Sequence, residues 1–329
     1  MTAHGHSMPD WLPGYEALPR NAATVDLGVR TQIELTGDDR ARFLHNLTTN
    51  EIRKLAPGAG CETFLTSVQG KTLAHGFVFV GEHSLVFDSV AGAAETIAKH
   101  LDHYLVSERV VIADRSDDWR ELYVGGPRSE TLLADLSGGA VPQARLAHAP
   151  AKLGGAVVWL RRVELTGPAG FLVSTERANL PIVAEALATA GATSCPLAAF
   201  EAARIEWGFP LFGQDITDKS LPQEINRDAL AISFVKGCYL GQETVARIDA
   251  LGHVNRTLVG VRFAGPDVPP PGCPLSAADA LVGEVTSAAY SPRLAVPLAL
   301  AFVRRGHNAP GAPLESPMGP AEVLTLPVS

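Results

Sequence analysis

Two stretches of the chain carry the same order of apolar and polar positions. The first runs Ile33-Glu34-Leu35-Thr36-Gly37 and continues with Phe43, Leu44 and Leu47. The second runs Leu122-Tyr123-Val124-Gly125-Gly126 and continues with Leu132, Leu133 and Leu136. Each pattern predicts a strand, a turn and then an amphipathic helix.

The two stretches also end alike. Leu85-Val86-Phe87 precedes a helical pattern with Ile97 and Leu101, and Phe171-Leu172-Val173 precedes one with Val183 and Leu187. The sequence therefore predicts an α+β fold in which a domain of residues 1–250 contains two related halves, roughly 20–115 and 116–195, closed by 196–250. A cleft between such halves is a usual place for a small ligand.

The pattern changes after Ile248. Short alternating segments separated by Gly and Pro follow, and they predict strands at Val254–Phe263, Leu281–Tyr290, Leu298–Arg304 and Ala321–Pro327. The proline-rich run Pro266–Pro274 is typical of a stiff linker. Residues 251–329 are thus predicted to form a small antiparallel β-barrel.

Composition excludes several classes of protein. Lys and Arg number 27 against 35 Asp and Glu, a formal charge of −8, which disfavours a broad nucleic-acid surface. The apolar run Leu294–Val303 contains Pro297 and is too short to span a membrane. Few cysteines and no leader-like segment at Met1–Asp10 predict a cytoplasmic location. The adjacent cations Arg161 and Arg162 are typical of a solvated strand edge.

The segment Lys236-Gly237-Cys238-Tyr239-Leu240-Gly241-Gln242-Glu243 is the strongest candidate for chemistry. Cys238 lies near the cation Lys236, and a helix opening after Gly241 would point amides at the thiol; both favour the thiolate. The other cysteines, Cys61, Cys195 and Cys273, have no such setting. Because no C-x-x-C pair is present, the sequence predicts no zinc or iron–sulfur site held by this chain alone.

These residues carry a family resemblance. The K-G-C-Y-L-G-Q-E stretch resembles the signature of the YgfZ family, folate-binding proteins involved in assembly or repair of iron–sulfur enzymes and related to the T-protein aminomethyltransferase of the glycine cleavage system. Three further segments resemble family elements: Phe43–Asn50, Glu201–Gly208 and Gly283–Pro292. The resemblance implies a duplicated folate-binding domain followed by a C-terminal barrel.

The resemblance also implies roles for individual residues. Cys238 would be the functional thiol, assisted by Lys236, and tetrahydrofolate or a related reduced folate would contact Arg204, Lys236, Tyr239, Gln242 and Glu243. Partners would be folate and, transiently, iron–sulfur client or carrier proteins. From the residues alone, Arg204 lies on a helix with Phe200, Ala203 and Trp207, where either an ion-paired arginine or a fork for a folate carboxylate is consistent with the pattern.

Two segments depart from the transferase pattern. The T-protein has paired aspartates after its glycine-rich turn, where this chain has Ala74 and His75, and it has a glutamate that faces the pterin, where this chain has Pro168. The expected function is therefore that of a folate-binding accessory protein without independent turnover. A tetrahydrofolate-dependent one-carbon transferase and a non-catalytic interaction scaffold are the alternatives.

Overall fold

The structure, a computed structural model, describes residues 10–328. Most of the N-terminal stretch used above to argue against a leader, Met1–Pro9, lies outside the described residues. The chain begins with α1 (Leu12–Arg20) and β1 (Ala23–Gly28). The first lobe then contains β2 (Thr31–Thr36), α2 (Arg40–His45), β3 (Gly60–Thr66), β4 (Thr72–Val80), β5 (Ser84–Ser89), α3 (Ala94–Tyr104) and β6 (Val111–Asp114).

The second lobe repeats this order of elements. It contains β7 (Trp119–Gly125), α4 (Ser129–Ser137), β8 (His148–Leu153), β9 (Ala156–Arg162), β10 (Gly170–Glu176), α5 (Leu180–Thr189) and β11 (Thr193–Ser194). A connecting segment follows, with α6 (Leu197–Trp207), α7 (Asp228–Ala231), α8 (Gln242–Leu251) and a short 3-10 helix (Pro222–Ile225); a second 3-10 helix, Arg177–Asn179, precedes α5.

The strand order of the two sheets reveals how the lobes are related. The first sheet has the order β3-β4-β5-β2-β6, and the second contains β8-β9-β10-β7-β1 with β11 added at its edge. β1 precedes the first lobe in the chain, yet it pairs with β7 in the second sheet, at the position that β6 has beside β2. The two lobes are therefore interlocked, and β1 does not follow the predicted division of the domain near residue 116.

Two glycines show the repeat at the level of single residues. Gly37 follows β2 and Gly126 follows β7, with φ of +99° and +108°. A Cβ on Gly37 would lie 2.1 Å from the carbonyl oxygen of Arg109, just before β6, and one on Gly126 would lie 2.3 Å from that of Asn21, just before β1. Since only glycine allows both the backbone angle and the close approach, the matching turns require it.

Helix pairs cover each sheet with the side chains that the pattern singled out. Ile97 and Leu101 of α3 and Val183 and Leu187 of α5 are fully buried, four residues apart in each case. Burial of one such side chain contributes roughly 1.5–3 kcal/mol. The amphipathic helices predicted after Phe87 and after Val173 are thus confirmed.

The remaining strands close into a barrel. β12 (Arg256–Phe263), β13 (Pro274–Ala277), β14 (Ala280–Ser291), β15 (Val296–Arg304), β16 (Pro313–Ser316) and β17 (Gly319–Leu324) form it in the order β12-β15-β14-β13-β16-β17, and β17 pairs back to β12. The predicted α+β fold with a C-terminal antiparallel barrel is confirmed. The pattern missed β13 and β16, which have only four residues each.

A buried apolar cluster joins the first lobe to the barrel. It combines Phe64 of β3, Ile205 of α6, Tyr239 of the segment before α8, and Leu258 and Leu300 of the barrel. The connecting segment is therefore held between the first lobe and the barrel. Among residues 10–328, no helix is both long and apolar enough to cross a membrane.

Candidate functional site

The thiol loop, residues 236–241, is fastened to the first lobe by Lys236. Its Nζ donates to the carbonyl oxygens of His45, Thr48 and Asn50, at 2.6, 2.6 and 2.8 Å. Burial lowers the pKa of Lys236 to about 7, with Glu51 opposing the shift. Since an ammonium has three N–H donors, all of them are used by the protein itself. Lys236 thus holds the loop in place.

Cys238 lies at the surface of this loop and is exposed, whereas Cys61, Cys195 and Cys273 are buried. The loop ends at Gly241, whose φ is +82°, and α8 begins at Gln242 as predicted. A Cβ on Gly241 would lie 2.4 Å from the carbonyl oxygen of Ser67, so the turn before β4 packs directly on the loop. The thiol is therefore presented by a backbone held in a single shape.

The other predicted residues of the loop have mainly local contacts. The ring of Tyr239 is buried 4.8 Å from the Lys236 ammonium. Gln242 accepts a hydrogen bond from the Tyr239 amide at 3.3 Å, and Glu243 is exposed in the first turn of α8. These residues thus surround Cys238 in sequence and hold the loop together.

Arg204 belongs to a different neighbourhood. It is fully buried, and its guanidinium donates to Glu201 at 2.9 and 2.6 Å, to Asp215 at 3.0 Å and to the carbonyl oxygen of Phe209 at 3.1 Å. Asp215 also accepts from Ser287 of the barrel at 2.6 Å. Arg204 therefore ties α6 to β14. A folate carboxylate would have to displace Glu201 to reach it.

A cavity is formed where the second lobe, the connecting segment and the barrel meet. This junction cavity has a volume of about 560 Å³ and is bordered by Glu164 of the second lobe, Trp207, Asn226, Arg227 and barrel residues from Thr257 to Gly260. Its volume lies within the range of small-molecule sites, roughly 300–1,000 Å³. Neither Arg204 nor Cys238 is among its lining residues.

A buried ionic cluster lies beside the junction cavity, and two of its residues, Arg227 and Glu164, border the cavity. Glu62 of β3 is fully buried and is held by Arg227 (Nη2 to Oε2 2.7 Å, with a second bond from Nε), by Arg145 and by His75 at 2.8 Å. Arg145 also pairs with Glu164 at 3.3 Å. The cluster connects the two lobes and the connecting segment.

The electrostatics of the cluster follow from burial and ion pairing. Burial alone would raise the pKa of Glu62, but the charge and hydrogen bonds of Arg227, aided by His75, hold that pKa well below its usual range. Burial lowers the pKa of His75, against the attraction of Glu62. Glu62 is therefore ionised and His75 neutral near pH 7, so neither serves as a proton donor there.

Ala74 and Pro168, which stand where the T-protein has carboxylates, have separate surroundings. Ala74 is fully buried in β4 beside His75. Pro168 borders a second cavity of about 330 Å³, which Trp207 also lines. Trp207 therefore separates the space near Pro168 from the junction cavity.

Comparison with known proteins places this geometry in a family. Residues 6–234 match the description "GCVT N-terminal domain", and residues 256–328 match "Glycine cleavage T-protein C-terminal barrel domain". The first match alone covers more than half of the chain. The chain belongs to the GCVT family. Membership of its YgfZ branch, suggested by the K-G-C-Y-L-G-Q-E stretch, stays a prediction.

Relatives within the GCVT family match almost the whole chain. An aminomethyltransferase of Streptomyces avermitilis is 27% identical over 94% of this chain and 87% of its own length, and one of Frankia alni is 30% identical over 90% and 81%. The crystal structure of glycine cleavage system aminomethyltransferase T from Bartonella henselae has a TM-score of 0.86 at 19% identity, covering 96% of this chain and 89% of that one. At that identity the likeness shows the fold.

Sequence reasoning missed the ionic cluster beside the junction cavity, including Glu164 and Arg227, which border the cavity. Glu62, Arg145, Glu164 and Arg227 are far apart in the chain, and no motif links them. One signal was available: Glu62 interrupts an apolar strand, Cys61-Glu62-Thr63-Phe64-Leu65, and a carboxylate in a buried strand requires a partner. Which cation provides it depends on the fold.

Proposed function

We propose that the protein binds a reduced folate, tetrahydrofolate or a close relative, in the junction cavity and uses it as the acceptor of a one-carbon unit. The observation that carries the proposal is Arg227. Its Nε and Nη2 hold Glu62, while its Nη1 has no acceptor among residues 10–328 and the residue borders the cavity. A free N–H of a fixed guanidinium is suited to a folate carboxylate.

Other residues of the cavity suit the rest of a folate. Trp207 offers an aromatic surface to the flat pterin or aminobenzoate, and Asn226 offers an amide to the pterin edge. Beside the cavity, the carboxylates of Glu62 and Glu164 balance Arg145 and Arg227. Recognition here therefore rests on directed hydrogen bonds and stacking rather than on net charge.

A binding titration with tetrahydrofolate tests the proposal. Arg227→Ala should weaken binding about 10- to 150-fold, the equivalent of roughly 1.5–3 kcal/mol for a charge-assisted hydrogen bond, and Arg227→Lys should restore part of it. Arg109→Ala, at an exposed arginine, is the matched control.

Because Arg227 also holds Glu62, Trp207→Leu gives a second variant that leaves the ionic cluster intact. It should weaken binding while the bonds that Arg227 makes to Glu62 are kept. The proposal would be rejected if the unaltered protein showed no saturable binding of tetrahydrofolate. It would also be rejected if Arg227→Ala and Trp207→Leu both bound tetrahydrofolate as tightly as the unaltered protein does.

The one-carbon donor is expected to differ from that of an aminomethyltransferase. At the position where the T-protein places a carboxylate, Ala74 is apolar and buried, and its neighbour His75 is neutral and bonded to Glu62. Loss of a group that stabilises developing charge typically costs about a hundredfold or more in rate. Transfer from a lipoyl-bound aminomethyl donor should be slower by that factor than with an aminomethyltransferase. A rate equal to that of an aminomethyltransferase would show that a different side chain stabilises the developing charge.

A second candidate function rests on Cys238. It is exposed on a fastened loop while the other three cysteines are buried, which supports a thiol that meets iron–sulfur client or carrier proteins. Cys238→Ala should then fail to restore iron–sulfur enzyme activity in a host that lacks its own copy of such a protein, although tetrahydrofolate binding is unchanged. Full restoration by Cys238→Ala would reject this candidate and leave the transferase.

A further inference from the structure

A separate small pocket lies between the two lobes. It has a volume of about 130 Å³ and is bordered by Phe79 and Val86 of the first lobe and by Trp119, Trp159 and Arg161 of the second. None of its lining residues borders the junction cavity. The pocket is thus distinct from the site proposed for folate, and its volume is too small for a folate.

Arg161 is the central residue of this pocket, and its surroundings correct the expectation of a solvated strand edge. Only 5% of the residue is exposed. Its Nη1 donates to Gln32 at 3.1 Å, Asp88 at 3.1 Å and Glu121 at 2.8 Å. β9 faces the first lobe at this point, and the inter-lobe carboxylates require a cation there.

The Arg161 guanidinium has two nitrogens without a partner among residues 10–328. Nε is enclosed without an acceptor, so no ligand reaches it in this arrangement. Nη2 also makes no hydrogen bond to these residues, but it is not enclosed, and Arg161 borders the pocket. A carboxylate that accepts from Nη2 forms a charge-assisted hydrogen bond and gains affinity.

The walls of the pocket are aromatic. The Cζ of Arg161 lies 4.7 Å from the centroid of the Phe79 ring, and the ring of His148 lies 5.7 Å from that of Trp159 and 5.3 Å from that of Phe79. Burial lowers the pKa of His148 to about 4, so its ring is neutral near pH 7. Flat, uncharged walls favour a flat ring over a flexible chain.

The charged side chains around the pocket favour the binding of one anion. Arg30, Arg115 and Arg161 face Glu34, Asp88 and Glu121, and Arg115 pairs with Glu34 at 3.1 Å at the mouth. Burial, with the charge of Asp88, raises the pKa of Glu121. Of the charged side chains that border the pocket itself, two are cations, Arg115 and Arg161, and one is a carboxylate, Glu34.

We propose that the inter-lobe pocket binds a small planar monocarboxylate, a single aromatic ring with one carboxylate. The carboxylate accepts a hydrogen bond from Nη2 of Arg161, and the ring lies against the indoles of Trp119 and Trp159.

Benzoate is the probe for this pocket. In a background with Trp11→Phe and Trp207→Phe, which leaves Trp119 and Trp159 as the two tryptophans of the sequence, benzoate should change the fluorescence in a saturable manner. Benzamide has the same shape without the charge and should bind at least about tenfold more weakly. Equal binding of the two, or no saturable change with benzoate, would overturn the proposal.

A variant that leaves the ionic groups in place locates the binding. Val86→Phe fills the pocket from the first lobe and should abolish benzoate binding while the unfolding temperature is kept. Val111→Phe, at an exposed valine outside the pocket, is the matched control and should bind as the parent does. Benzoate binding retained by Val86→Phe would place the ligand elsewhere and reject the assignment.

Discussion

The thiol loop takes all its residues from one contiguous run, whereas the junction cavity takes Glu164 from the second lobe, Arg227 from the connecting segment and further residues from the barrel. In the loop, polar groups are bonded to the backbone and a thiol is left at the surface. In the cavity, buried charges hold one another and leave one N–H of Arg227 without an acceptor among residues 10–328. A contiguous motif is visible in a sequence because spacing reveals it, while a site assembled by folding is not.

The largest expected effect on stability comes from Arg204. It distinguishes the structural role of Arg204 from the ligand-binding role proposed for Arg227. Arg204→Ala should lower the free energy of unfolding by about 3–5 kcal/mol, because it leaves the buried Asp215 without its cation. Urea denaturation followed by circular dichroism measures this, with Arg109→Ala as the exposed control. If Arg204→Ala instead kept the stability of the parent and lost tetrahydrofolate binding, Arg204 would hold the folate carboxylate, as the resemblance implies. In that case the purely structural role given to Arg204 would be wrong.

The fate of the predicted residues shows what a single sequence contains. The amphipathic helices, the glycine turns and the barrel follow from periodicity and backbone sterics, which act over a few residues. One partner of Arg204 is visible in the sequence, because Glu201 is three positions away on the same helix. The hydrogen bonds from Arg204 to Asp215 and to the Phe209 carbonyl oxygen depend on the turn after α6. The burial of Arg161 depends on how the lobes face each other, which no local pattern records.

The next expected effect concerns the shape of the thiol loop. Gly241→Ala should destabilise the protein by about 1–3 kcal/mol, because φ is +82° and the new Cβ would lie 2.4 Å from the Ser67 carbonyl oxygen. Gly237→Ala, in the same loop, meets nothing within 4 Å and is the matched control. Equal stability of the two variants, measured by thermal unfolding, would mean that the loop is not held as described.

The junction cavity and the helix that follows the thiol loop come together at Asp228, which is next to Arg227 and faces Asp249 of α8. Burial, with the charge of Asp249, raises the pKa of Asp228 from 3.8 to about 6. The folded state therefore binds a proton more tightly than the unfolded state, and this contribution to stability is lost as pH rises from about 4 to about 6.

Asp228→Asn should remove that loss and stabilise the protein at pH 7.5 by about 1 kcal/mol, a value reduced because the carboxyl is partly solvated. Asp249→Asn should act in the same direction but less, since burial is the larger cause. Urea midpoints at about pH 4.5 and pH 7.5 measure both. A gain for Asp228→Asn that is equal at the two pH values would contradict the raised pKa.

The smallest expected change in stability is at Cys238. Cys238→Ala should leave the free energy of unfolding within about 0.5 kcal/mol, because the side chain is exposed and leaves no cavity. Iodoacetamide should label Cys238 alone in the folded protein, since Cys61 and Cys195 are buried and burial raises their pKa to about 12. Cys238→Ala should abolish that labelling. Tetrahydrofolate at saturation should not slow the alkylation if the thiol loop and the junction cavity are separate. Protection by folate, mapped by mass spectrometry, would instead join them into one folate-and-thiol site.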